Sequence, residues 1–246
     1  MYLPILLIVI FSFSEGSGIS FSDFEFGLQN YRDLFNNNVI LEAIFNSLLI
    51  ATIAAFTATI IGTMACVGMM KMRKRTRGVM MALNLTPMIN ATIVTAFSLV
   101  LLYATLGMVN MGYIRLILAH TLVALPIVML IVLPKLRGLD KNMFEAAQDL
   151  GATPSQAFFK VMIPLLFPAM LGAFLVGFTL SVDEFIITNY NNADIVTIPT
   201  IVYAPRSFRW QPSFRALSAI VFMVVILALI IVNFKLSRNA KKRLTK

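Results

Sequence analysis

The stretch Glu145–Pro164, EAAQDLGATPSQAFFKVMIP, is a polar island between apolar runs. Asp140 stands ahead of it as a cap for a short helix over Lys141–Leu150, in which Ala146 and Ala147 are strong helix formers. Gly151 sits where a left-handed residue ends a helix. Thr153, Pro154 and Gln156 then spell a second start: a hydroxyl cap, a proline at the first helical position and an amide three residues beyond the cap. The pattern predicts helix, glycine turn, helix, leading at Pro164 into an apolar segment. Phe144, Ala147, Gln148 and Gly151 share one helix face by their spacing. Phe144 is either a knob for a groove on another protein or a side chain that packs back on its own bundle.

The rest of the chain is oily. It is 59% hydrophobic and only 13% charged, with a mean hydropathy of +0.86, values that belong to integral membrane proteins. Ala43–Met70, Val79–Tyr103, Gly112–Leu133 and Ala216–Phe234 each supply the roughly 20 apolar residues of a crossing helix. A fifth run, Pro164–Asn189, carries Asp183 and Glu184 near its far end. The opening MYLPILLIVIFSF is read as a first helix, either short or begun upstream of Met1. A secretory signal fits it poorly, because it has no basic start and no small-residue cleavage pattern. The expectation is an all-α integral membrane fold of about six helices in one domain, residues 1–246, with a loop at 138–164 between the fourth and fifth. The polar-aromatic stretch Ser14–Glu42 suits a short surface helix before the second span.

Charge sets the orientation. Lys71, Arg73, Lys74, Arg75 and Arg77, then Lys135, Arg137, Lys141 and Lys160, then the six cations from Lys235 to Lys246 place fifteen of the 20 basic residues on one side. By the positive-inside rule that side, with both termini, is cytoplasmic, and the net charge of +9 needs no anionic partner. Nucleic acid is excluded, since the basic clumps lack interleaved aromatics. Cys66 has no second cysteine to pair with, and His120 has no second His or Cys nearby, so no metal site is expected. Cys66 reads as packing, His120 as a helix–helix contact or a polar lining residue. No phosphate-cradling G-x-x-x-x-G-K-[ST] loop and no Ser/His/Asp or Cys/His set is present, so the chain is expected to be non-catalytic and to bind no cofactor itself.

Two further clusters are candidate functional sites. Asp183 and Glu184 lie near the end of the fifth span, about 28 Å along a helix from Pro164. Ionisable groups near the bilayer are costly and mark functional sites by default, although interface solvation or structural pairing explains them equally well. In the third span Pro87 removes a backbone donor and bends the helix, and Asn84 and Asn90 offer amides beside it. The neighbouring threonines read as interhelical glue.

Glu145-Ala146-Ala147, Gly151 and the Val161-Met162-Ile163-Pro164 ending resemble the EAA loop of ABC importer permeases. Leu136–Asp140, the Leu125-Pro126 pair and Asn46–Leu48 resemble the same family. The resemblance implies that the loop is a coupling helix docking on an ATP-binding subunit, with Glu145, Ala146, Ala147 and Gly151 in that role; Phe144 and Asp149 join them by position alone. It also implies a second related permease, two ATP-binding subunits that hold ATP and Mg, an external substrate-binding protein and a lipid surround. Phe178–Thr188, Tyr2–Phe13 and Pro212–Ser218 look like the spermidine/putrescine branch, most like its second permease subunit. Polyamine cargo would suit the Asp183–Glu184 pair by Coulomb attraction, with cation–π contacts from Phe185 and Tyr190. Ser213 and Arg215 depart from that branch, which carries an acid after the corresponding proline. Other cargo (another organic amine, thiamine or iron) is the alternative within the family. A self-sufficient channel or carrier is the alternative outside it, and should show broken or charged midplane segments in paired halves. A membrane-bound enzyme comes last.

Overall fold

The computed structural model describes residues 3–15, 21–140, 142–203, 213–223 and 226. Among them the regular elements are all helical, with one isolated antiparallel bridge between Ser14 and Phe26. They pack as two units, Met1–Leu41 with Ile201–Lys246, and Glu42–Thr200.

In the first unit, α1 (Leu3–Ser12) is followed by a short turn and by α2 (Gln29–Asn36), the surface helix expected from the polar-aromatic stretch. The buried Asn30 amide ties them, donating to the Ser12 carbonyl at 3.0 Å and the Ser14 carbonyl at 2.8 Å. Phe11 packs against Phe21 and Phe24, while Phe13 stacks on Phe26 at 5.9 Å. The ten residues of α1 span about 15 Å, half a hydrocarbon core. Most of the expected last span, Ala216–Phe234, and the basic tail lie outside the described residues; Ser213–Met223 is helical.

Three helices of the second unit are long and apolar enough to cross a membrane. They are α3 (Asn38–Met70), which also reaches into the first unit, α6 (Gly112–Arg137) and a continuous run, Pro154–Asp183. That last run is α8 (Pro154–Ala157), a five-residue π-helical turn (Phe158–Met162) and α9 (Ile163–Asp183). Small residues let the three backbones approach closely. A Cβ on Gly177 of α9 would lie 3.6 Å from Ala124 of α6 and 3.8 Å from Ala55 of α3. One on Gly62 of α3 would meet Val128 of α6 at 2.7 Å. Cys66, Val128, Val132 and Leu166 are fully buried in the same core, so the lone cysteine is a packing residue.

Two spans differ from expectation. Val79–Tyr103 is not one helix: α4 (Lys74–Ile89) and α5 (Thr92–Thr105) meet at 103°. Counted as one broken span, they bring the candidate crossings among the described residues to four. Pro87 does not itself turn the chain. Helix continues two residues past it, weakened by the missing donor, and ends where Asn90 and Ala91 adopt extended backbone. Pro164–Asn189 is likewise interrupted. α9 stops at Asp183, Glu184 turns extended, and α10 (Ile186–Asn191) follows, then α11 (Ile198–Val202).

Candidate functional site

The polar island folds as its sequence spells. In α7 (Asn142–Asp149) the Asp140 carboxylate accepts the Asn142 N–H at 3.0 Å. Gly151, at φ +87°, ends it: its N–H reaches the Gln148 carbonyl, and the Ala152 N–H reaches the Ala147 carbonyl, the paired closure of a Schellman turn. Thr153 and Gln156 form the reciprocal capping box that starts α8. Two rigid helices therefore flank one left-handed glycine.

The faces of α7 differ in burial, although the exposed Met143 and Glu145 also border the cavity beside it. Phe144 is half-buried and lines a cavity of about 510 Å³ with Leu136, Leu139, Phe158, Met162 and Leu165. Ala147 and Gln148 are half-buried on the same side. Glu145, Ala146 and Asp149 are exposed, as is Gly151, and Leu150 is 90% exposed at the turn. An outward leucine beside a glycine was not singled out from sequence, because nothing local distinguishes it from a core leucine.

The acid pair separates. Asp183 is exposed at the last turn of α9. Glu184 is half-buried in the break, and its carboxylate accepts the Ile187 N–H at 3.2 Å, satisfying the first turn of α10. The Thr188 hydroxyl donates back to the Glu184 carbonyl. Phe185 is half-buried, and Tyr190 packs on Phe97 of α5 with ring centroids 4.6 Å apart. Asn191, fully buried, fastens α10 further through its amide to the Ile187 carbonyl at 3.0 Å and the Ala96 carbonyl at 3.4 Å. Asn84 is half-buried on α4, its amide nitrogen without a partner among the described residues, and Asn90 is exposed at the α4–α5 break. No hydrogen bond among the described residues joins either asparagine to the acids.

His120 is the helix–helix contact anticipated. Buried on α6, it lies 2.7 Å from the Ser181 hydroxyl of α9 through Nδ1, and 3.0 Å from the Thr188 hydroxyl of α10 through Nε2. Asn46 and Ser47 of α3 hold the segment before α11. The Asn46 amide donates to the Val196 carbonyl at 2.9 Å, and the Ile198 N–H donates to the Ser47 hydroxyl at 2.8 Å.

A family model described as "Binding-protein-dependent transport system inner membrane component" matches residues 58–243. The spermidine/putrescine transport system permease protein PotC of Haemophilus influenzae is 30% identical over 97% of this chain and 92% of its own length. The putrescine transport system permease protein PotI of Escherichia coli K12 is 29% identical over 99% of this chain and 89% of its own length. Among solved structures, a bacterial ABC transporter involved in the import of the acidic polysaccharide alginate superposes with a TM-score of 0.71 at 16% identity, covering 97% of this chain and 90% of that one. That last likeness is one of fold. With most of its length matched and nearly all of it aligned, this chain belongs to the family of inner-membrane components of binding-protein-dependent transport systems, the non-catalytic membrane permeases of ABC importers.

Proposed function

We propose that this permease admits a polyamine, spermidine or putrescine, to the cytoplasm, driven by ATP hydrolysis on partner subunits. The observation that carries the cargo is near-full-length kinship to PotC and PotI, whose names give those solutes. One chemical feature supports it. The Asp183 carboxylate is exposed and uncommitted among the described residues, whereas Glu184 is engaged by its own backbone. Asp183 is therefore the group that meets a cationic amine, Glu184 holds the bend, and Phe185 and Tyr190 flank them.

The contact for the ATP-binding subunit is α7 with its glycine turn. Its outward residues Glu145, Ala146, Asp149 and Leu150 are the docking surface, with Ala147, Gly151 and Phe144 giving the helix its shape and seat. The clustering of basic residues supports a cytoplasmic position for this loop and both termini. The assembly in this reading has a second related permease, two ATP-binding subunits and an external binding protein. Asn84 and Asn90 lie within the broken third span, where a pathway between permeases is expected to run.

Uptake of labelled spermidine by cells expressing the complete transporter tests the cargo. Asp183→Asn is expected to cut uptake at low substrate about fivefold, the worth of one solvent-screened charge contact. Glu184→Gln keeps an acceptor oxygen for Ile187 and is expected to cost less. Uptake unchanged in Asp183→Asn removes the carboxylate from the pathway. Parental cells that take up no spermidine or putrescine above background refute the cargo.

A further inference from the structure

The break between α9 and α10 is held by a chain of hydrogen bonds whose direction can be worked out. A hydroxyl has one proton, and that of Thr188 goes to the Glu184 carbonyl. Its oxygen therefore accepts from His120, so Nε2 of the imidazole carries the proton. Nδ1 is then the acceptor, and the Ser181 hydroxyl donates to it. The sequence Ser181 to His120 to Thr188 to Glu184 runs from the last turns of α9, through α6, into α10 and back to the residue at the break. Ser181, His120 and Thr188 are all buried. The void beside them, lined also by Ser47, Val182 and Thr197, is only about 10 Å³. That is the lower limit for one water, so these groups satisfy one another rather than solvent.

A helix interrupted between Asp183 and Ile186 has a free hinge unless something spans it. α10 packs on α5 through Tyr190 and Asn191 and on Ala119 of α6 through Ile187, and His120 of α6 is the side chain that hydrogen-bonds both α9 and α10. We propose that His120 is a positioning residue, clamping Ser181 on α9 to Thr188 on α10 and so setting the angle at which Asp183 and Glu184 leave the bundle. It touches no cargo. It rests on the reading of Asp183 as the carboxylate that meets the cargo, and acts by aiming that group.

The test places a reporter on α10 that is independent of the cargo. In the complete transporter, Ile186→Cys is combined with Cys66→Ser, and labelling by a membrane-impermeant maleimide is timed. His120→Leu and Thr188→Val are each expected to change the labelling rate about fivefold, the effect of one buried hydrogen bond, and to raise the KM for spermidine by a similar factor. His120→Gln, whose amide offers one donor and one acceptor, is expected to restore both to within about twofold of the parent. Equal labelling in parent and His120→Leu overturns the proposal, as does altered labelling with unchanged KM and Vmax. If His120→Leu fails to assemble, Thr188→Val, which removes one hydroxyl and keeps the shape, carries the same decision. A parent that imports no spermidine while labelling still answers to His120 refutes the cargo and leaves the clamp standing.

Discussion

Tyr113 donates its phenolic proton to Asn46 Oδ1 at 2.8 Å, joining α6 to α3. The other half of the same amide holds the Val196 carbonyl, so one asparagine fixes three segments. Asn46 is 1% exposed, which makes its unmet groups expensive.

Removing it should therefore cost more than removing its partner. Asn46→Ala is expected to destabilise by about 1–3 kcal/mol, since Val196 loses its donor, and Tyr113→Phe by about 1 kcal/mol. Thermal melting of the purified transporter in detergent measures both. Equal melting temperatures for Asn46→Ala and the parent would show that the asparagine is not a fastening point.

Packing should outweigh polar contact between α3 and α6. Thr57 and Thr121 hydroxyls lie 2.8 Å apart across these helices, but each has one proton and a carbonyl of its own helix within reach, so the contact between them competes with those bonds. Thr57→Val is expected to cost only about 0.6 kcal/mol. Gly62→Val drives new carbon into Val128 and is expected to cost about 1–3 kcal/mol, recovered in part by Val128→Ala. A larger loss from Thr57→Val than from Gly62→Val would invert this ranking.

The glycine turn separates shape from contact. A Cβ on Gly151 meets nothing within 4 Å, so Gly151→Ala costs only the left-handed strain, about 1–2 kcal/mol, and frays α7 locally. Asp149→Lys changes an exposed charge and leaves the fold intact. Both are expected to lower ATP-coupled uptake while the amount of chain in the membrane stays constant. Parental uptake in both variants would remove α7 from the coupling contact.

Cys66 offers a check on the core. It is fully buried and free, so it should resist an impermeant thiol reagent in the folded transporter and react after denaturation. Rapid labelling of the native protein would place α3 wrongly.

Local signals were read well from the sequence because they act over a few residues. Asp140, Gly151, Thr153 and Gln156 each do what their chemistry dictates, whatever lies beyond the loop. The breaks were legible only in part. Pro87 and the Asp183–Glu184 pair mark their neighbourhoods, but their positions rest on contacts far apart in sequence: α10 folds against α5 through Asn191 and Tyr190, and against α6 through His120. The partner of Asn46 lies 150 residues away at Val196, beyond any periodicity. Adjacency of Asp183 and Glu184 suggested a matched pair, yet the extended backbone at Glu184 gives the two acids different surroundings, one exposed and one engaged by the Ile187 N–H.

The 103° corner between α4 and α5 bears on how the polypeptide survives before it meets its companions. Each helix end leaves up to four backbone donors or acceptors unmatched, and hydrocarbon offers them nothing. The Asn90 N–H is met by the Thr86 carbonyl and the Val94 N–H by the Ala91 carbonyl, and any group left over in a newly inserted copy falls to water or a neighbouring protein. Synthesised alone, such a copy is expected to be a short-lived orphan that membrane proteases clear. Its cellular abundance should accordingly follow the supply of its assembly partners more than its own rate of synthesis.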